Sequence, residues 1–274
     1  MNRIEDICEY KSLNLHDLEM AKRYLNVLNQ AADPHSVLYV DAEFTSHGIA
    51  MCRNTDETIG GILITGINPS YNKKCPNGGI FSFIDIMRDE KCYKSSSYWR
   101  NKESQFYDKD YSLLEKTAYL DLFPFAQTEQ KQFMKDIRPN IDFQVKTLEI
   151  TLDEIERLRP RLIIAANTST SYYWGITEAT WLGYNLQKVN TDSLPPCFNG
   201  TNLRIYKIVG DTGYKESNDR VGQDVYTNKS NLLGAYFIEY GLYDERMKKK
   251  HPEYLLTPEL LKSLFKEALL LTNK

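Results

Sequence analysis

Apolar side chains recur every three to four positions over residues 15–32, 142–160 and 257–273, the repeat of an amphipathic helix. The second of these is closed by Pro160, and the last has Thr257 as N-cap with Pro258 at the first helical position. Between them the pattern changes to short apolar runs. "GGILITG" (60–66), "TAYLDLFPF" (117–125), "RLIIAAN" (161–167) and "NLRIYKIVG" (202–210) read as buried strands. "SVLYVDAEF" (36–44) and "GIAMCR" (48–53) read as short strands of an N-terminal addition. "TSTSYYWGI" opens a further helix, and residues 228–243 read as another.

Four apolar strands separated by helical spans predict an α/β fold, a three-layer α/β/α arrangement with a central four-stranded, mostly parallel sheet. The expected organisation is an addition over 1–57, the α/β domain over 58–243 and a C-terminal helical tail over 244–274. Sites of such folds lie beyond the C-terminal ends of the strands. Here those ends lead into Asn68–Phe83, Asp121–Gln127, Asn167–Ser171 and Gly210–Gly222.

Composition narrows the function classes. The 274 residues are 42 % hydrophobic and 26 % charged, an ordinary globular balance, with 19 Tyr and a net charge of −3. A protein that coats duplex DNA is normally basic, so bulk charge argues against strong non-specific binding and leaves room only for a local basic rim. No stretch has the apolar length of a signal peptide or a membrane span, so the expected location is the cytoplasm, with no membrane partner. Five widely spaced cysteines without a CxxC pair, and four histidines without ligand spacing, predict reduced thiols and no metal site.

The first strand runs into "GINPSYNKKCPNGGIFSF" (66–83). Gly66 permits a sharp exit, and Pro69 fixes the backbone after Asn68. The Asn68 amide offers one acceptor and two donors at the strand mouth. It can orient a water but is too weak a base to deprotonate one, which suits a reaction with an already electrophilic transition state. Cleavage of an N-glycosidic bond, with its oxocarbenium-like sugar, is such a reaction. Gly78 and Gly79 allow close backbone approach, and Phe81 offers a face for a planar base.

These residues resemble the uracil-DNA glycosylase superfamily. "GINP", with Phe81 thirteen residues after Asn68, is similar to the G-[QMI]-[DN]-P pattern and its stacking phenylalanine, closest to the mismatch-specific branch. "GGIFSFIDIMRDE" and "YLDLFPF" resemble the corresponding segments of the general and single-strand-selective branches, over roughly residues 58–243. The resemblance implies that Asn68 orients the attacking water, Phe81 stacks on a flipped base, Asp121 reads its edge, and backbone amides near Ile67 and Tyr71 hold a base carbonyl. It implies a monofunctional hydrolase without cofactor, with DNA as partner. Ser70, Lys73 and Lys74 are candidate DNA contacts.

Two positions depart from the family pattern. Asp121 stands where the family usually has Asn. An ionised carboxylate only accepts hydrogen bonds, so it would repel O4 of uracil and prefer an exocyclic amine or a donor-rich ring. The family also places His-Pro-Ser after the fourth strand, where the histidine stabilises charge on the leaving base. Here "YKIVGDTGYKESNDRVG" contains no histidine, and the lone His-Pro, at His251, falls far downstream. Thr212, Tyr214 or Lys215 are candidate donors, with Tyr214 a candidate wedge. Losing an oxyanion-type donor typically costs about two to three orders of magnitude in rate, which leaves a slow enzyme. The alternatives are an inactive relative that binds a nucleotide, modified base or DNA, and a protein-interaction module.

Overall fold

The computed structural model describes residues 3–6, 13–74, 78–94, 96, 98–100, 102, 112–176, 181–211, 232–240 and 250–270. Eight strands are described: β1 (Ile49–Cys52), β2 (Ile62–Gly66), β3 (Gly78–Phe81), β4 (Thr117–Asp121), β5 (Leu162–Ala165), β6 (Tyr184–Lys188), β7 (Arg204–Asp211) and β8 (Tyr236–Glu239). The principal helices are α1 (Leu15–Ala31), α2 (Phe83–Arg88), α3 (Gln130–Ile137), α4 (Ile141–Leu158), α5 (Thr168–Trp174) and α6 (Pro258–Leu270).

Six strands form one mixed sheet in the order β4-β2-β5-β8-β7-β6. The pairs β2–β4, β2–β5 and β5–β8 are parallel, whereas β7–β8 and β6–β7 are antiparallel. A separate two-stranded parallel sheet joins β1 to β3. Successive residues of the inner strands feed opposite cores. Leu63, Ile163 and Phe237 meet α1 and α4 on one face, while Ile64, Ile164 and Ile238 meet α2 and α6 on the other. That alternation on two buried faces is why these strands are apolar throughout.

The sheet is therefore α/β as expected but six-stranded and mixed, and two of the expected elements change identity. Residues 204–211 form a strand, yet it runs antiparallel at β8 and is not the fourth parallel member. That place belongs to β8, inside the stretch whose apolar density reads as a helix. Gly234 turns the chain with φ +86 and donates its N–H to the Ile208 carbonyl at 2.8 Å, so "YFIE" enters the sheet extended. Sandwiched between β5 and β7, β8 needs apolar side chains on both faces, and such a run carries no period-2 signal.

The expected strand at 36–44 is also absent. The Val37 and Tyr39 carbonyls, which a strand would offer to a neighbour, accept instead from the Asn140 side chain at 3.1 and 2.9 Å. The same Asn140 caps α4 by accepting from the Phe143 N–H at 2.8 Å. The chain then makes a 3₁₀ turn at Glu43–Ser46 and enters β1. Helix α4 ends at Leu158, before Pro160, through Arg159 in the left-handed region with φ 48.

Candidate functional site

The loops leaving β2 and β4 pair with each other beyond the sheet. Leu122 N–H donates to the Gly66 carbonyl, Phe123 N–H to Ile67 and Gln127 N–H to Pro69, at 3.0, 2.8 and 2.9 Å. This ladder fixes Asn68. Its Nδ2 donates to the Gln127 carbonyl at 2.7 Å and to the Pro69 carbonyl at 3.1 Å. Both amide protons are thereby used, and Oδ1, the acceptor, is buried without a partner. Asn68 is presented as a rigid acceptor.

It lines a cavity of about 540 Å³ at the C-terminal ends of β2, β4 and β5, together with Ile67, Ser70, Phe81 and Asp121. Ile67 is buried at 1 % exposure, with its side chain in the core. Ser70 is exposed at the rim. Five of the residues singled out in the sequence thus converge on one cavity. Tyr71 does not line it; its ring stacks on His47, with centroids 4.0 Å apart. Lys73 and Lys74 sit exposed in the turn that follows and do not line it either. His251 pairs with Glu253 at 3.2 Å, away from the cavity lining. Thr212, Tyr214 and Lys215 lie outside the described residues.

Asp121 ends β4 directly opposite Gly66 in the parallel register. A Cβ on residue 66 would stand 2.1 Å from Asp121 Oδ1, so glycine is what lets the carboxyl lie against β2. The side chain accepts from the Tyr119 hydroxyl at 3.3 Å, and the Tyr119 and Tyr98 hydroxyls are 2.8 Å apart. Burial lifts the Asp121 carboxyl from 3.8 to about 7, with the Tyr119 hydroxyl offsetting part of the rise. Near neutral pH this carboxyl is balanced between donor-bearing acid and carboxylate. The Tyr119 phenol is held well above its ordinary value, first by burial and then by the Asp121 charge.

Aromatic rings build one wall, and uncharged polar side chains, among them Asn72, Gln127, Gln130 and Asn167, line the cavity as well. Phe81 meets Trp99 at 6.1 Å and Tyr119 at 5.7 Å, Trp99 meets Tyr119 at 5.6 Å, and Tyr98 meets Trp99 at 4.9 Å. All four line the cavity. Tyr98, Trp99 and Tyr119 are absent from the sequence-derived candidates. Tyr119 was reachable by strand alternation, because it lies two residues before Asp121 and so shares its face. Phe81 is half-buried and keeps a place in the cavity, whereas Phe83 turns into the core.

Gly78, which also lines the cavity, makes the close backbone approach its sequence allows, and it makes it to another strand. With φ +97, its missing Cβ leaves room for the Ile49 carbonyl oxygen, which would lie 1.8 Å from a Cβ there. Its close approach is thus to the β1 backbone.

A groove of about 680 Å³ adjoins the cavity, and Gln130 lines both. Lys131, Lys135 and Arg138 edge it, spaced so that they share one face of α3 and its C-cap. All three are exposed, no acidic residue lines the groove, and among the described residues none of the three forms an ion pair. Tyr172, 40 % exposed, and Trp181 form its aromatic side.

Among the described residues no helix is long and apolar enough to cross a membrane, and no cluster of three or more His, Cys, Asp or Glu could hold a metal ion. A scan against protein-family models and a search of curated proteins found no match to this chain.

Proposed function

We propose that the chain is a monofunctional glycosylase-like hydrolase that cleaves the N-glycosidic bond of a base swung out of DNA. The observation that carries this reading is Asn68, which lines the aromatic-walled cavity with both amide protons spent on carbonyls and its buried acceptor oxygen unpartnered. In this reading a water donates one proton to Asn68 Oδ1 and turns a lone pair towards the sugar carbon. The bond to the base breaks ahead of attack, so the carbon is electrophilic before water reaches it and no strong base is required. Phe81 stacks on the base, and Asp121 meets its edge. The exposed cations of the neighbouring groove and its exposed Tyr172 suit a phosphate backbone and its bases, which supports DNA as partner. With no membrane-spanning helix among the described residues, the cytoplasm remains the location in this proposal.

A second reading is binding without hydrolysis. It is favoured by one observation: among the described residues, neither a histidine nor any other cation lines the cavity to stabilise charge on a departing base.

Both are tested by release of base from labelled single- and double-stranded oligonucleotides carrying uracil, hypoxanthine, xanthine, hydroxymethyluracil or an alkylated purine. Asn68→Ala is run alongside. Release that falls by about two to four orders of magnitude in the variant supports the hydrolase. Retention of every base by folded protein sinks it and leaves the binding reading.

A further inference from the structure

The cavity is unusual in its charge. Four aromatic rings (Phe81, Tyr98, Trp99 and Tyr119) converge there, and among its described lining residues the only Asp, Glu, Lys, Arg or His is Asp121. The buried Lys102 lies over the Tyr98 ring, with Nζ 5.4 Å from its centre and 5.8 Å from that of Tyr240, but does not line the cavity. Ring faces are electron-rich, and a carboxylate adds negative charge. Together they attract a flat cation and offer no charged partner to an anion.

From this aromatic and acidic lining we infer that the cavity selects a positively charged base, an N-alkylated purine, over the neutral bases of the same size. The inference rests on the hydrolytic reading only for its chemical step, since the selectivity is a property of binding. In that step the C1′–N9 bond breaks and its electron pair passes to N9, cancelling the positive charge on the alkylated ring. The base departs neutral. Water held by Asn68 forms the new C1′–O bond, and its proton leaves to solvent. No anion develops on the base, so a cavity whose described lining holds no cation or histidine is no handicap for this substrate. A neutral base leaving by the same route would carry the electron pair away as negative charge, beside Asp121 and the ring faces.

The rings and carboxylate hold the cation in the ground state, where its charge is full. Their work is therefore selection, and the leaving-group activation belongs to the base. Removing a ring should raise KM and leave kcat little changed, the signature of lost uniform binding. Asn68→Ala should do the reverse.

The experiment has two arms. The first compares release of 7-methylguanine and 3-methyladenine with that of uracil and hypoxanthine from matched oligonucleotides, each corrected for its rate without protein. The expected result is kcat/KM at least about tenfold higher for the alkylated bases, given the strength of desolvated cation–ring contacts. Trp99→Leu should erase that preference through KM, and Trp99→Phe, which keeps a ring, should restore it. The second arm measures binding of 1-methyladenosine, a cation at pH 7.5, against adenosine by calorimetry. It needs no catalysis.

Release of neutral bases without preference for the alkylated ones overturns the inference while the hydrolase stands. No release at all, with 1-methyladenosine bound at least about tenfold tighter than adenosine and the difference lost in Trp99→Leu, removes the hydrolase and keeps the cationic class. Equal affinity for the two nucleosides overturns the inference whatever the first arm gives.

Discussion

Asp121→Asn isolates the electrostatic cost built into the cavity. Asp121 is 6 % exposed, and its described hydrogen bond is a long one from Tyr119. Burial raises the carboxyl from 3.8 to about 7 in the folded chain, whereas the unfolded chain keeps the ordinary value. Between those pH values the folded state holds a proton that the unfolded state has lost. The stability this group contributes is therefore present below about pH 4 and disappears as pH rises to about 7. At about 1.4 kcal/mol per pH unit, the loss is on the order of 4 kcal/mol, an upper bound because water entry would relieve part of it. Asn is close in shape to the protonated acid and never ionises. Urea unfolding of the two proteins at pH 5 and pH 8 gives the test, since every other titrating group is common to both. We expect a variant more stable by about 1–2 kcal/mol at pH 5 and by about 3–4 kcal/mol at pH 8, the gap widening with pH. A variant destabilised equally at both pH values would refute the reasoning, because the carboxylate would then be ionised and held by a partner.

Two further outcomes follow from the same geometry. Gly66→Ala should destabilise by about 1–3 kcal/mol through the clash with Asp121 Oδ1, and Gly66→Ala/Asp121→Ala should recover most of it; strict additivity in urea unfolding would show that the clash is elsewhere. Replacing Lys131, Lys135 and Arg138 together by Ala should lower the salt dependence of single-stranded DNA binding by about 2 in log–log slope, read by fluorescence anisotropy across salt concentrations. An unchanged slope would remove the groove from the DNA path.

Much of the α/β order was legible because the relevant signals are local. The caps and apolar stripes of α1, α4 and α6 lie within the helices themselves, and β2, β4 and β5 are uninterrupted apolar runs. The errors fall where identity depends on a neighbour distant in sequence. "YFIE" is a strand because β5 and β7 flank it, and 36–44 is not one because Asn140 takes its carbonyls. Tyr98 and Trp99 reach the cavity from a polar stretch whose sequence carries no strand or helix period.

The site shows the same division more sharply. Asn68, Phe81 and Asp121 stand out in sequence because each is an odd residue at a strand end or in a glycine-rich turn, and each lines the cavity. What approaches the glycines cannot be read there. Gly66 suggests a sharp turn, yet its hydrogen is needed because β4 pairs in a register that sets Asp121 against it. Gly78 suggests close backbone approach, and what approaches is the β1 backbone. A missing Cβ says only that something comes close; the register between strands far apart in sequence decides what. Here that register sets the Asp121 carboxyl against β2, in a cavity that Asn68 and the four rings also line. The inferred preference for a charged base belongs to the assembled cavity and to no single motif within it.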